Sequence, residues 1–527
     1  MQDLPFSLQS FSRLKELHCL YVDKTKYAYD LIVQQQSFFL ARPRRFGKSL
    51  FVSTLEEILK GNRELFEGLF IEKSSYTWPV YGVIHLDFGP INSTCAATVQ
   101  TSLCKTLTRI ARQYSLPLKL DVLDPNQALI ELVDALYDKY KKVAILIDEY
   151  DHPILQVLED PQVTQVQAVL QSFFTTVKSL NKQVHFLFIT GVSMFSKAGV
   201  FSGMNNPQNI SMDPQFAGIC GYTDEELDLY FPEYITAWAD SENIPFKEVR
   251  EGLRTWYNGY RFSEKPLSVY NPFSILNALH RKQFQNFWFE TGSPSFVIKQ
   301  LQNKYRQKEW ALFDLEHFKS SRSLLGTIDM DTIPLPTLLF QTGYLTLASY
   351  DKQANNYRLK FPNHEVKTAL NQHLLPLLTN ADSESVDYIS TELKPLLNAG
   401  DVEGAISCFT TLFSQVPYQL HLPQEQFYHG LFQIACHAAG LKAQSEYSTS
   451  HARIDLILDL PNRLYVVEIK FNEPPEVALA QIEERRYYEP FLKGLKPITL
   501  LGLSFIKKPC DFQIPYIKKE IPLDSRI

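Results

Sequence analysis

Up to about Tyr222 the chain alternates short apolar runs with stretches of helical period, the pattern of an α/β layer whose strands are buried on both faces. Residues 37–41, 83–88, 143–147 and 184–190 predict buried strands, each short and bounded by polar or turn residues. Residues 49–60 and 126–139 carry the helical period between them. From Thr223 the pattern changes. Thr223 ahead of Asp224-Glu225-Glu226 predicts a capped helix with an acidic first turn. Helical segments and aromatic-rich loops then run to about Leu420. Residues 424–439 predict a helix, 454–458, 464–469 and 497–503 strands, and 476–491 a helix between the last two strands. The expected domains are α/β over 1–222, a helical middle region over 223–420, and a small α/β domain over 421–527.

Composition narrows the class. With 527 residues, more than one core is required. No run of eighteen apolar residues occurs and the N-terminus lacks a secretory pattern, so no membrane partner is expected. Seven dispersed cysteines without CxxC spacing read as reduced thiols, and the expected location is cytoplasmic. The formal charge of -6 gives no basic domain of the kind that drives nonspecific nucleic-acid binding, although a local groove can be basic on an acidic protein.

The candidate chemistry begins directly after the first predicted strand. Arg42-Pro43-Arg44-Arg45-Phe46-Gly47-Lys48-Ser49 joins that strand to a helix, the context a P-loop requires. Backbone amides from Arg44, Arg45, Phe46 and Gly47 would face phosphates at the helix N-terminus. Lys48 would reach the β- and γ-phosphates, and the Ser49 hydroxyl would ligate Mg²⁺. Arg42 stands where the usual first glycine would be, and a plain basic loop before a surface helix is the competing reading. Against it stands the apolar strand closing in Asp148 and Glu149. Beside the P-loop strand, Asp148 would lie in the Mg²⁺ shell and Glu149 would orient or deprotonate a water. Thr190 or Ser193, at the tip of another buried strand, would sense the γ-phosphate or merely cap a turn.

These motifs resemble a bacterial family, the AAA-ATPase-like proteins with a C-terminal PD-(D/E)XK nuclease-type domain. The resemblance rests on Tyr21-Val22-Asp23-Lys24-Thr25, the Arg42–Ser49 octapeptide, Ile147-Asp148-Glu149-Tyr150-Asp151 and Thr190-Gly191-Val192-Ser193. It extends through Tyr257-Asn258-Gly259-Tyr260, Tyr270-Asn271-Pro272-Phe273, Thr291-Gly292-Ser293-Pro294, Gln341-Thr342-Gly343-Tyr344-Leu345 and Phe361-Pro362-Asn363. It implies an AAA-like P-loop ATPase domain, with ATP and Mg²⁺ as cofactors and arginine as a normal first P-loop residue. A homo-oligomer is a further candidate, with a neighbour's arginine completing the site; Arg261 is the guess for it.

In the last domain Asp455 enters one strand, while Glu468 and Lys470 share a face of the next. Two carboxylates could hold Mg²⁺ and the lysine could position water for phosphodiester hydrolysis, with DNA or RNA as the partner. An exposed Glu-x-Lys charge pattern is the bland alternative. The segment resembles the PD-(D/E)XK motif, with Asp455 and Glu468 as metal ligands and Lys470 catalytic. Glu425 matches an extra acid, Gln481 and Tyr488 accompany the site, and Ala452 replaces a usual glycine. Arg485 and Arg486 could touch a phosphate backbone or simply be solvated. The leading expectation is an ATPase whose nucleotide state controls a Mg²⁺-dependent nuclease through the middle region. The alternative is a nucleotide-dependent switch or scaffold whose nuclease-fold domain is catalytically silent and serves docking.

Overall fold

The computed structural model describes residues 1–118, 120, 123–158, 160–194, 207–290, 295–306, 315, 318–326, 334–416, 425–448, 453–508 and 511–521. The expectations that concern residues 291–294, Ala452 and Cys510 lie outside them. The chain divides into two compact units, Met1–Gly292 with Glu316–Asn363, and Ser293–Leu315 with His364–Ile527.

The first unit is built on strands β1 (Ser37–Ala41), β2 (Gly82–Asp87), β3 (Val143–Asp148), β4 (Val184–Gly191) and β5 (Gln208–Asn209), all parallel, in the order β2-β3-β4-β1-β5. A parallel sheet needs crossovers, and helices Lys48–Leu59, Ala96–Gln113, Pro125–Tyr140 and Val163–Ser179 supply them. Every residue of β3 is buried, which is why its sequence reads as an unbroken apolar run ending in an acid. The strand carrying Asp148 was expected beside the P-loop strand. Instead β4 lies between β1 and β3, and the acid stands one strand further away.

Thr223 caps helix Asp224–Tyr230 as expected: its hydroxyl accepts the Glu226 amide and the Glu226 carboxylate accepts the Thr223 amide. Such a box contributes about 1 kcal/mol. Helices Pro232–Glu242, Phe246–Tyr257 and Pro272–Arg281 follow and share a core of Phe231, Trp238, Leu253, Tyr257 and Ile275. The unit also holds a small antiparallel sheet within the predicted helical region. It comprises β6 (Lys319–Ser321), β7 (Thr346–Asp351) and β8 (Asn356–Lys360), with β8 central.

The second unit carries helices His364–Thr379, Ser383–Ala399, Val402–Ser414 and Glu425–Ala438 and a six-stranded sheet. Its strands are β9 (Lys442–Ser448), β10 (Arg453–Asp459), β11 (Leu464–Phe471), β12 (Ile498–Lys508), β13 (Asp511–Gln513) and β14 (Tyr516–Ile521). The first three form an antiparallel meander, and β12 joins β11 in parallel through helix Pro475–Glu484. That helix stops well before Phe491, because Arg486 takes φ 49° and breaks the turn. Among the described residues no helix is long and apolar enough to cross a membrane.

Candidate nucleotide and carboxylate sites

Strand β1 delivers the chain into the loop at Arg42. This arginine is buried, and its guanidinium donates to the carbonyls of Ala41 (2.9 Å), Ser211 (2.6 Å) and Phe216 (3.2 Å) with the Phe262 ring 4.1 Å away. Burial lowers its pKa to about 10, which leaves it charged at neutral pH. The residue at the first P-loop position is thus an anchor beneath the loop. Arg45 (φ 66°) and Gly47 (φ 90°) take left-handed backbone, a sequence of turns that aims successive amides to one side. Helix Lys48–Leu59 begins there with Gly47 as its N-cap, the arrangement that suits an anion.

Lys48 is only 6% exposed and its ammonium donates to the carbonyls of Arg42 and Pro43, both at 3.0 Å. Burial pulls its pKa down, while Asp148 and then Asp151 work against that shift. A cavity of about 420 Å³ opens beside the loop. Arg44, Arg45, Phe46, Gly47, Lys48 and Ser49 bound it on one side, and Glu149, Asp151, His152 and Val192 on another. The predicted phosphate loop and the predicted base therefore face the same space.

Asp148 and Thr190 sit behind that space rather than on its wall. Both are buried; Asp148 Oδ1 accepts the Glu149 amide (3.0 Å) and the Thr190 hydroxyl. Since β4 separates β1 from β3, Thr190 bridges sideways to the acid, and it holds Asp148 instead of standing at the cavity as a sensor. Ser193 is buried too, and its carbonyl accepts the Tyr150 hydroxyl at 2.9 Å. Glu149 has φ 53°, uncommon for a residue with a side chain. Burial raises its pKa, and Asp148 adds to the rise.

Two wall residues were missed as functional groups. Asp151 is 1% exposed, and its carboxylate accepts the amides of Val192 (3.1 Å) and Ser193 (2.7 Å), tying the turn after β3 to the end of β4. His152 Nδ1 lies 3.8 Å from Glu149, and burial, then Arg44, lowers its pKa. Asp151 closes the Ile147–Asp151 run and His152 follows it, where periodicity stops being informative. Arg261 does not stand free to complete a neighbour's site. Its guanidinium donates to the carbonyls of Glu264 (2.7 Å), Lys265 (2.9 Å) and Ala348 (3.1 Å), so it staples its own loop.

In the second unit, Leu456 pairs with Val467, a register that brings Asp455 level with Glu468 on the neighbouring strand. Asp455 Oδ2 accepts the Ile469 amide at 2.9 Å. Glu468 is buried; its Oε1 accepts the Lys470 ammonium (3.0 Å) and the Gln481 amide, while Oε2 is buried with no hydrogen-bond partner. Burial, reinforced by Asp455, raises the Glu468 pKa to about 7. Glu425, at the start of its helix, is electrostatically coupled to Lys470 and Asp455, and burial raises its pKa. Gln481 reaches the site because helix Pro475–Glu484 packs directly on β12. A Cβ at Gly502 would lie 2.6 Å from the Pro475 carbonyl, and Gly502 pairs with Glu468. The tyrosine at Gln481 is Tyr487, whose hydroxyl accepts Gln481 (3.1 Å) and Arg485 (3.2 Å). Tyr488 instead packs against the hydrophobic core, the result of the helix ending early. Arg486 pairs with Glu489 at the surface.

Among the described residues no three His, Cys, Asp or Glu side chains gather as a ready metal site. The donors at hand are two neighbouring carboxylates, one with an orphaned buried oxygen. That hard, oxygen-only set fits Mg²⁺, which takes one or two carboxylates and completes its shell with water.

The family described as predicted AAA-ATPase matches residues 5–201, and that of the PD-(D/E)XK nuclease superfamily matches residues 423–513. An uncharacterized protein in the vnfD 5′ region of Azotobacter chroococcum mcd 1 is 33% identical over 515 residues, covering 95% of this chain and 96% of its own. Among solved structures, the Walker-type ATPase paby2304 of Pyrococcus abyssi is similar at 12% identity and a TM-score of 0.34, with 70% of this chain and 98% of that one covered. The Orc1 protein of Aeropyrum pernix, solved with DNA, is similar at 10% identity and a TM-score of 0.24, with 66% and 91% covered.

Proposed function

Since the chain belongs to the family of AAA-ATPase-like proteins with a C-terminal PD-(D/E)XK nuclease-superfamily domain, we propose that it binds and hydrolyses ATP and that its nucleotide state controls the nuclease-fold domain. The observation that carries the first half is one cavity bounded both by the Arg44–Ser49 loop and by Glu149. Loop amides and Lys48 bind the triphosphate, the ammonium exchanging the Arg42 and Pro43 carbonyls for phosphate oxygens. Ser49, on the cavity wall, would hold Mg²⁺, and Asp148, behind that wall, would act on the ion through its water shell; the ion would supply charge neutralisation along the phosphates. Thr190 and the Glu149 amide fix the Asp148 carboxylate. Glu149 takes the proton from the attacking water, and burial, which raises its pKa, makes it a stronger base than an exposed glutamate.

In the second unit Asp455 and Glu468 would hold Mg²⁺, which would activate water for phosphodiester hydrolysis, and Lys470 and Gln481 orient the Glu468 carboxylate. DNA or RNA is the substrate class that this donor set serves.

Phosphate release measured on wild type, Lys48→Ala and Glu149→Gln tests the ATPase. Wild type turns over; Lys48→Ala loses binding; Glu149→Gln binds ATP but loses about 10²–10⁴ in rate. Equal rates in all three would sink the assignment. For the second unit, Mg²⁺-dependent cleavage abolished by Glu468→Ala is expected. ATP turnover without any cleavage would leave the docking alternative standing.

A further inference from the structure

We propose that Trp288 and Gln341 are positioning residues of the ATP site, clamping its outer wall so that the arrival of a triphosphate registers at Trp288. The inference rests on the P-loop reading above and adds residues that nothing in the P-loop chemistry assigns.

Neither residue bounds the cavity, so neither can touch the nucleotide. Trp288 touches Arg44, which does, and Gln341 touches Met194, just beyond the lining residue Val192. Trp288 is 5% exposed and its indole N–H donates to the Arg44 carbonyl at 3.0 Å, with the Tyr344 ring 5.3 Å away. Gly343 presses on the preceding residue: its φ is 92° and a Cβ there would lie 2.7 Å from Pro43. Gln341 is 3% exposed and holds the chain just past Val192, which bounds the cavity on the Glu149 side. Its carbonyl accepts the Met194 amide at 2.7 Å, three residues beyond β4, and its amide donates to the Leu325 carbonyl at 2.9 Å. One short segment thus braces both the P-loop and the turn that Asp151 ties to β3.

Residues 42–44 are therefore held from two sides. On the inner side Lys48 donates to the carbonyls of Arg42 and Pro43; on the outer side Gly343 abuts Pro43 and Trp288 donates to the very next carbonyl. A lysine that turns to phosphate oxygens leaves two carbonyls without their donor. The loop must re-seat, and the indole bonded to Arg44 is the first group outside the cavity to feel it. Trp288 also lies close in sequence to Gly292, where the chain first leaves the first unit.

The test combines tryptophan emission with calorimetry and turnover, using ATPγS and Mg²⁺ for binding and ATP for rate. Wild type is expected to change emission on binding. Trp288→Phe is expected to lose that change, keep affinity within about threefold, and drop kcat about tenfold, the scale of one hydrogen bond. Gln341→Leu, which retains every tryptophan, should lower kcat similarly with KM within about threefold. A residue of merely structural importance would lower folded yield and leave kcat per folded molecule unchanged. Undiminished emission change in Trp288→Phe, or unchanged kcat in Gln341→Leu, overturns the clamp while the ATP site stands. A wild type that binds no ATPγS overturns the site itself, and the clamp falls with it.

Discussion

Single residues in this protein do work that their motif positions do not announce. Arg42 replaces a P-loop glycine, yet it never faces the cavity; it satisfies three carbonyls beneath the loop. Restoring the consensus with Arg42→Gly should therefore destabilise the first unit by about 2–4 kcal/mol, since those buried carbonyls lose charged donors and a cavity opens against Phe262. Urea denaturation measures it, and a neutral or stabilising effect would show that the anchor is dispensable. Glu468 makes the complementary case. Burial first, then Asp455, lifts its pKa to about 7, whereas an unfolded glutamate titrates near about 4.3. Between those values the folded state keeps a proton that the unfolded state has lost, so stability falls as pH rises through the window. Glu468→Gln cannot titrate. Its second unit should gain on wild type between pH 5 and 8 by on the order of 2 kcal/mol, and parallel pH profiles of unfolding for the two proteins would refute the assignment.

At the level of elements, Gly502 shows how a backbone contact delivers a functional side chain. Helix Pro475–Glu484 can bring Gln481 to Glu468 only because β12 has no Cβ under the Pro475 carbonyl and the Leu479 amide. Gly502→Ala should push the helix outward, cost about 1–3 kcal/mol, and weaken Mg²⁺ affinity in the proposed Asp455–Glu468 site more than Gln481→Ala alone. Thermal unfolding together with Mg²⁺ titration decides it; unchanged values in both would mean the helix has slack. The same region shows what was legible in sequence. Strands β1, β3, β10 and β11 were plain because burial on both faces demands continuous apolar residues. Strands β9 and β14 were missed. Lys442-Ala443-Gln444-Ser445 and Tyr516-Ile517-Lys518-Lys519 are polar segments on the flanks of an otherwise buried sheet, and polarity reads as loop. The shared face of Glu468 and Lys470 followed from alternation along β11, and the pairing with Asp455 from the adjacent strand, but the tyrosine partner did not follow. Its identity depends on where the helix stops, and the left-handed Arg486 leaves no hydrophobic signature. Asp151 and the clamp at Trp288 and Gln341 were hidden for a related reason: each acts through backbone amides or carbonyls, which carry no sequence identity.

For the whole molecule the question is whether two compact units share one equilibrium. Each has its own sheet and its own core, so each could keep its site without the other. If nucleotide state controls the second unit, the coupling is a free energy and must be reciprocal. A nucleic acid bound at the Asp455–Glu468 site then changes ATP affinity by the same factor as ATP changes affinity for that nucleic acid. A useful switch needs about 1–3 kcal/mol, or roughly five- to 150-fold. With Glu149→Gln to prevent turnover, calorimetry of ATP in the presence and absence of saturating DNA or RNA gives one factor. Binding of the same strand with and without ATP gives the other. Agreement well away from unity establishes control. Two factors of one, with both ligands bound, would mean that the chain carries two independent machines, and it would remove the regulatory half of the proposal while leaving both sites intact. The overall charge of -6 sets the condition for the experiment: general attraction to phosphates is weak, so measurements at low salt are needed to see the local site.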